Sequence, residues 1–262
     1  MIRIAFINNK GGVGKTTSAF NVASYFARKG KKVLMVDLDA QANLTLYAGL
    51  KPNELKKTIY DLMEKSSRLA ETVEYEDVKK VLKTSKHGID IIPSNIGTER
   101  INQNLFHAIN KEGLLNSILE TVDDKYDFCI IDSPPNLGLS ATNAITASDY
   151  VFIPIKAGPW EILGMKMLMA LITEIKKISK RKVEIGGVFF TQYFPHFKVS
   201  KNVENLLYKF NFRILEAKIN NSVKLIRAVQ EYNSIFEYNK KDNIPYDDYE
   251  NLCKEIEKII CI

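Results

Sequence analysis

Short apolar runs alternate with longer amphipathic stretches along the whole chain. Seven runs read as strands: Ile2–Asn8, Lys32–Asp37, Ile89–Pro93, Phe128–Asp132, Tyr150–Ile155, Ile185–Thr191 and the brief Arg213–Leu215. They are rich in β-branched residues and almost continuously apolar, as strands covered on both faces are. Between them, apolar positions recur at helical spacing over 15–28, 52–65, 75–82, 98–122, 139–147, 162–179, 201–209, 223–231 and 246–260. This alternation predicts an α/β fold in three layers, helices on either side of a mostly parallel, twisted sheet of about seven to eight strands. Ligands on such sheets bind beyond the carboxyl ends of the strands. The residues that follow each strand therefore decide the chemistry.

After the first strand comes Lys10-Gly-Gly-Val-Gly-Lys-Thr-Thr17, which opens the helix beginning at Lys15. A strict phosphate-loop pattern would place a glycine at position 9, where Asn9 stands. The physical requirements survive that deviation. Gly11, Gly12 and Gly14, with Val13 between them, let successive N–H groups turn inward on phosphate oxygens, and the helix N-terminus adds its dipole. Lys15 is placed to reach the outer phosphates, Thr16 to ligate Mg²⁺ directly, and Thr17 to join the loop in binding phosphate. Lys10 adds a second cation on the loop itself.

Two further strand ends carry carboxylates. The second strand runs into Asp37-Leu-Asp-Ala-Gln41, whose Asp37 and Asp39 share one side. The run Phe128–Ile131 ends in Asp132-Ser-Pro-Pro135, an aspartate followed by a stiff turn. Beside a phosphate loop these groups suit phosphoryl transfer, which needs positioning and charge neutralisation rather than covalent participation. Asp39 is the candidate for orienting the attacking water. Asp37 and Asp132 are candidates for contacting Mg²⁺ through water. His87, His107 and His196 have no partner in any catalytic pattern.

Composition narrows the class. The chain has 262 residues, 45% hydrophobic and 26% charged, enough apolar material for a core without staples. Cys129, Cys253 and Cys261 form neither a disulfide framework nor a metal-ligand spacing, so a reducing, cytoplasmic setting is expected. The first apolar run is too short for a signal peptide, and none reaches the ~18 residues of a membrane span. Net charge is +6; residues 176–262 hold 16 of the 37 basic and only 11 of the 31 acidic residues. Nearly all the excess therefore lies in the last third, a candidate footprint for a polyanion.

Taken together, Lys10-Gly-Gly-Val-Gly-Lys-Thr-Thr17, Asp37-Leu-Asp-Ala-Gln41 and Ile131-Asp-Ser-Pro-Pro135 resemble the deviant Walker A, Walker A′ and Walker B motifs of the ParA/MinD ATPases. The small, Soj-like DNA-partition ATPases are most similar. Asn136-Leu-Gly-Leu139, the Val151–Ile155 strand and Val223-Lys-Leu225 extend the likeness over nearly the whole chain. The resemblance implies one P-loop ATPase domain over 1–262, without the N-terminal helix-turn-helix extension of larger ParA proteins. It implies slow Mg²⁺-dependent ATP hydrolysis and a face-to-face homodimer on ATP, with Lys10 reaching the partner's nucleotide. A ParB-like centromere-binding protein would stimulate hydrolysis. The ATP form would bind double-stranded DNA nonspecifically on the nucleoid, through Lys198, Lys201, Arg213, Lys218, Lys224 and Arg227. Thr191, Asn220 and Asn221 would lie near the adenine.

The sequence also departs from the family. Asn220-Asn221-Ser222 replaces a frequent Pro-Arg-Asn, Arg227 stands where many relatives are acidic, and Lys156-Ala-Gly-Pro-Trp-Glu161 differs from the usual acidic-aromatic segment. Two other readings stay open: a MinD-like membrane-cycling ATPase, and a ParA-like positioning or assembly factor for a protein cargo. A membrane-cycling protein needs a lipid-binding terminal helix. Here Tyr249, Leu252, Ile256, Ile259 and Ile260 form an apolar stripe, but the opposite face mixes Glu and Lys. Lipid-binding helices are basic on that face, so docking on the core, without stable membrane association, is expected.

Overall fold

A computed structural model describes residues 1–158, 161–178, 182–195, 198–209, 212–238 and 244–261, without the side chains of 161–163, 178, 198–202 and 209. Its strands are β1 (Ile2–Phe6), β2 (Val33–Asp37), β3 (Lys83–Thr84), β4 (Asp90–Ile92), β5 (Phe128–Asp132), β6 (Tyr150–Lys156), β7 (Glu184–Tyr193) and β8 (Ile214–Asn220). They form one sheet in the order β3-β4-β2-β5-β1-β6-β7-β8. Every neighbouring pair is parallel except β3 with β4.

The apolar runs divide by the two-residue period of a strand. Ala5, Leu34, Val36, Cys129 and Ile131 face one core, beneath helices Ile59–Ser66, Leu114–Glu120, Leu139–Thr146 and Glu161–Ile178. Ile4, Phe6, Met35, Phe128 and Ile130 face the other, beneath helices Lys15–Arg28 and Ile244–Ile259. Tyr249, Leu252, Ile256 and Ile260 of the terminal helix are buried there, so the apolar stripe packs on the protein. Among the described residues no helix is long and apolar enough to cross a membrane.

Several expected boundaries move. The long helix expected over 98–122 is broken into Arg100–Asn104 and Leu114–Glu120, flanked by short 3-10 turns. Asn110 between them adopts φ 54°, which an α-helix cannot continue through. The helix expected from Pro52 starts at Ile59, behind a capping box of Thr58 and Asp61. Strand β3 escapes sequence reading because it is two exposed residues long. Strand β8 is longer than expected: Leu215, Ala217 and Ile219 point inward while Glu216 is exposed, the alternation of an edge strand. Pro159 and Trp160 of the divergent 156–161 segment, and His196, lie outside the described residues.

The sheet order places the chemistry. Strand β5 lies between β1 and β2, with Phe6 paired to Asp132 and Asp132 paired to Asp37. Three strand ends distant in sequence thus finish side by side.

A candidate nucleotide site at the strand ends

Residues 7–14 arch from β1 to the helix at Lys15. Gly12 and Gly14 take φ 71° and φ 79°, left-handed conformations that side chains resist. A Cβ at Gly14 would also sit 3.4 Å from the Thr191 methyl. Gly14 caps the helix without a side chain, and the first turn holds no acidic residue, so the dipole end stays unneutralised.

The loop is tied down from behind. Thr191 Oγ1 donates to the Val13 carbonyl at 2.9 Å, with the Ile155 carbonyl at 3.2 Å. Gln192 Nε2 donates to the Gly12 carbonyl at 2.7 Å. Asn8 Nδ2 donates to Pro154 of β6 at 2.7 Å, and Asn8 Oδ1 accepts from the Lys10 amide at 3.0 Å. Lys15 is buried, and its ammonium donates to the Lys10 carbonyl at 2.9 Å. Burial lowers its pKa, against the opposing pull of Asp132 and Asp39.

The two strand-end carboxylates differ in kind. Asp37 is fully buried and satisfied: Oδ2 accepts from the Thr45 amide at 2.9 Å and hydroxyl at 2.8 Å, and Oδ1 from the Asp39 amide at 3.1 Å. Burial pushes its pKa up to about 7 despite those donors. It thus organises the turn from Asp39 into helix Asn43–Tyr47, a task the sequence does not announce. Asp132 is equally buried, yet among the described residues no donor reaches either carboxylate oxygen with hydrogen-bond geometry, the Thr16 hydroxyl lying near without closing one. Burial first, and the charge of Asp37 second, push it well above the usual carboxylate range; the nearby Thr16 hydroxyl and Lys15 pull the other way. A buried carboxylate with both oxygens orphaned costs free energy unless something positive completes it. This donor set fits magnesium. Among the described residues no trio of His, Cys, Asp or Glu is placed to hold a metal. Mg²⁺ instead favours one or two carboxylates with phosphates and retained waters.

Asp39 accepts from the Gln41 amide at 2.9 Å and lines a cavity of about 380 Å³ with Gly12, Lys15, Thr16 and Pro135. A second cavity of about 280 Å³ adjoins it, sharing Gly14, Thr17 and Gln192. Its walls include Thr191, Ile219, Asn220, Asn221, Leu225 and Tyr249. One end of this slot is polar and cationic and the other apolar, the shape a nucleotide needs. All three expected adenine residues line the apolar end. Thr191 spends its hydroxyl on the loop, and Asn220 donates from its amide and side chain to Asp248 at 2.8–3.2 Å. Tyr249, whose hydroxyl meets Ser18 at 3.2 Å, is a wall residue that sequence reading missed, hidden in the periodicity of the last helix.

The expected DNA cations do not converge. Lys224 and Arg227 are exposed on helix Val223–Gln230, and Arg213 stands just before β8. Strand β8, seven residues and roughly 20 Å long, runs between Arg213 and the turn that precedes that helix. Lys218 is half-buried, bonds both Glu204 oxygens at 2.9 and 3.0 Å and lies 4.8 Å from the Tyr193 ring centre, so its charge is neutralised locally. Lys198 and Lys201 belong to helix Lys198–Lys209, but their side chains lie outside the described residues.

A glycine loop cradling a helix N-terminus at the end of a central parallel strand defines a P-loop nucleoside-triphosphatase fold. Comparison with known proteins agrees. Residues 1–185 match the family model described as AAA domain. The chromosome-partitioning ATPase Soj of Treponema pallidum is 32% identical over 97% of this chain and 96% of its own. The sporulation initiation inhibitor protein Soj of Bacillus subtilis is 32% identical over 97% of each. A putative plasmid partition protein from Borrelia burgdorferi, solved bound to AMPPNP, superposes with a TM-score of 0.78 at 27% identity over 99% of this chain and 98% of its own. An ATP complex of a McdA variant from Cyanothece shares the fold at a TM-score of 0.85 and 23% identity, over 100% of this chain and 97% of its own. The chain belongs to the ParA/Soj family of P-loop ATPases.

Proposed function

We propose that this protein binds ATP with Mg²⁺, dimerises face to face on the bound nucleotide, holds DNA in that state and releases it on hydrolysis. The orphaned, buried Asp132 carboxylate beside Lys15 and Thr16 carries this reading, because its cost is removed by a hydrated cation at the phosphates. The loop N–H groups from Gly11 to Thr17 and the Lys15 ammonium bind the phosphates. Thr16, Asp132 and, behind it, Asp37 are the residues that would hold magnesium there, and the metal would supply charge neutralisation at the phosphates. Asp39 orients the attacking water and accepts its proton. Lys10, on the rim of the loop, reaches the nucleotide of the partner subunit.

The curated relatives are named for chromosome partition and sporulation control, which supports DNA as the track and a ParB-like protein as the stimulator of hydrolysis. Lys224 and Arg227, exposed together on one helix, are candidates for phosphate contacts. The ATP form would then sit on the nucleoid of the cytoplasm. Burial of the terminal apolar stripe speaks against the membrane-cycling alternative.

Gel shifts on long duplex DNA with ATP, ADP or no nucleotide test the switch. Tight binding is expected with ATP alone, lost in Lys10→Ala and Lys15→Ala. Asp39→Ala should bind ATP and stay on DNA, because hydrolysis no longer frees it. Equal binding in all three nucleotide states would overturn the reading. An ATP-dependent dimer indifferent to DNA would favour a protein cargo.

A further inference from the structure

Four short-chain polar residues from three separate segments meet behind the turn that carries Asp39. Thr45 and Ser94 are completely buried, Thr98 nearly so, and Asp39 itself is 8% exposed. Ser94 stands two residues beyond β4, the strand that pairs with β2 on the side away from β5. Its hydroxyl lies 2.6 Å from the Asp39 carbonyl and 2.8 Å from the Thr98 hydroxyl.

One hydrogen per hydroxyl fixes the direction of these bonds. A carbonyl only accepts, so Ser94 Oγ donates to Asp39 and must accept from Thr98 Oγ1. Thr98 Oγ1 in turn faces the Asn95 amide at 3.4 Å, a donor. The relay therefore runs one way, from Asn95 through Thr98 and Ser94 to Asp39. A second branch starts from the Ser94 amide, which donates to Thr45 Oγ1 at 2.9 Å; that hydroxyl then donates to Asp37, and Asp37 accepts the Asp39 amide. The Asp39 carbonyl is thus tied directly to the Ser94 hydroxyl, and the Asp39 amide to the Ser94 backbone through Asp37 and Thr45.

The anchored turn is strained. Ala42 has φ 53°, and its amide donates to the same Asp39 carbonyl at 2.9 Å. A non-glycine residue in the left-handed region persists only where its surroundings over-determine it. Ser94 fills the remaining lone pair of that carbonyl and supplies that determination.

We infer that Ser94 is a positioning residue for hydrolysis, acting through the Asp39 backbone to hold the Asp39 carboxylate at the angle from which it orients water. The inference rests on the role proposed for Asp39. Ser94 lies behind the turn and lines neither cavity of the nucleotide slot, so its loss should leave ATP binding alone.

The test compares wild type, Ser94→Ala and Thr98→Val for single-turnover ATP hydrolysis and for ATP affinity by calorimetry, each rate normalised to bound nucleotide. Ser94→Ala should lower kcat roughly 10- to 100-fold, the scale of a small misplacement of a catalytic group, with ATP affinity within about twofold of wild type. It should also lengthen the ATP-dependent residence on DNA, in the direction expected of Asp39→Ala. Thr98→Val removes the orienting donor, together with the long contact to the Asn95 amide, and should cost several-fold less than Ser94→Ala; if Ser94→Ala does not fold, a several-fold loss of kcat at unchanged affinity in Thr98→Val supports the inference. Wild-type kcat per bound nucleotide in the variants, with only a lower melting temperature, would overturn it and make Ser94 purely structural. A wild-type protein that binds ATP and does not hydrolyse it would instead overturn the function reading itself.

Discussion

Replacing Asp132 with asparagine should stabilise the nucleotide-free protein while weakening its hold on Mg·ATP. Asp37 and Asp132 are register partners on adjacent strands, both fully buried. Neighbouring strands lie about 4.8 Å apart, and two unit charges at that spacing repel by roughly 3 kcal/mol at an effective dielectric constant of 20. Part of that is already relieved, because burial and the charge of Asp37 raise the Asp132 pKa and favour its neutral form. The new amide also enters without partners, which takes back something on the order of 1 kcal/mol. A net gain of about 1–2 kcal/mol remains, roughly 2–8 °C in melting temperature for a chain of this size. Differential scanning calorimetry without nucleotide reads that gain, and titration calorimetry with ATP reads the loss of affinity in Mg²⁺ against EDTA. The gain should be larger at pH 8 than at pH 6. A carboxylate whose folded pKa is raised binds more protons folded than unfolded, so its stabilising effect is present at low pH and lost as pH rises. A drop in melting temperature would show that Asp132 is partnered after all. Unchanged Mg-dependent affinity would remove it from the cation's shell.

Two further outcomes follow from local electrostatics. Partial desolvation pushes Glu237 up, yet His87 Nδ1 at 2.8 Å and the Ser234 amide and hydroxyl hold its pKa at about 2. A depressed acid contributes stability above its ordinary pKa near 4.5 and loses it as pH falls toward 2; urea midpoints should show this decline in wild type and a flatter profile in Glu237→Gln. Lys224→Glu places a negative charge in the first turn of helix Val223–Gln230 and should weaken ATP-dependent DNA binding about tenfold or more, with a shallower salt dependence and unchanged ATP affinity. Unaltered DNA affinity would remove that helix from the DNA surface.

The site was legible where its chemistry is local. Glycines that need φ 71° and φ 79°, a lysine and threonine at a helix start, and aspartates closing buried strands are written consecutively in the chain. Backbone sterics and strand periodicity act over a few residues, so they determine the phosphate loop and the αβα class without knowledge of the fold. Less local features were harder to read. The break in the 98–122 helix runs over residues 105–113 and includes an asparagine at φ 54°, a conformation that composition does not force. The length of β8 was hidden because an edge strand carries outward polar residues inside its apolar pattern.

How these pieces meet is set by the order of the strands in the sheet. Inserting β5 between β1 and β2 sets Asp132 against Asp37 and leaves its oxygens without partners. Parallel crossovers bring Thr191 and Gln192 onto a loop far earlier in the chain, and Ser94 onto the turn of Asp39. The same long-range packing gives Lys218 to Glu204, cancelling a charge that the sequence counts as available. Hydrogen-bond direction and charge cancellation depend on which atoms end up within about 3 Å of each other. Strand order sets those distances, and no short stretch of sequence contains it.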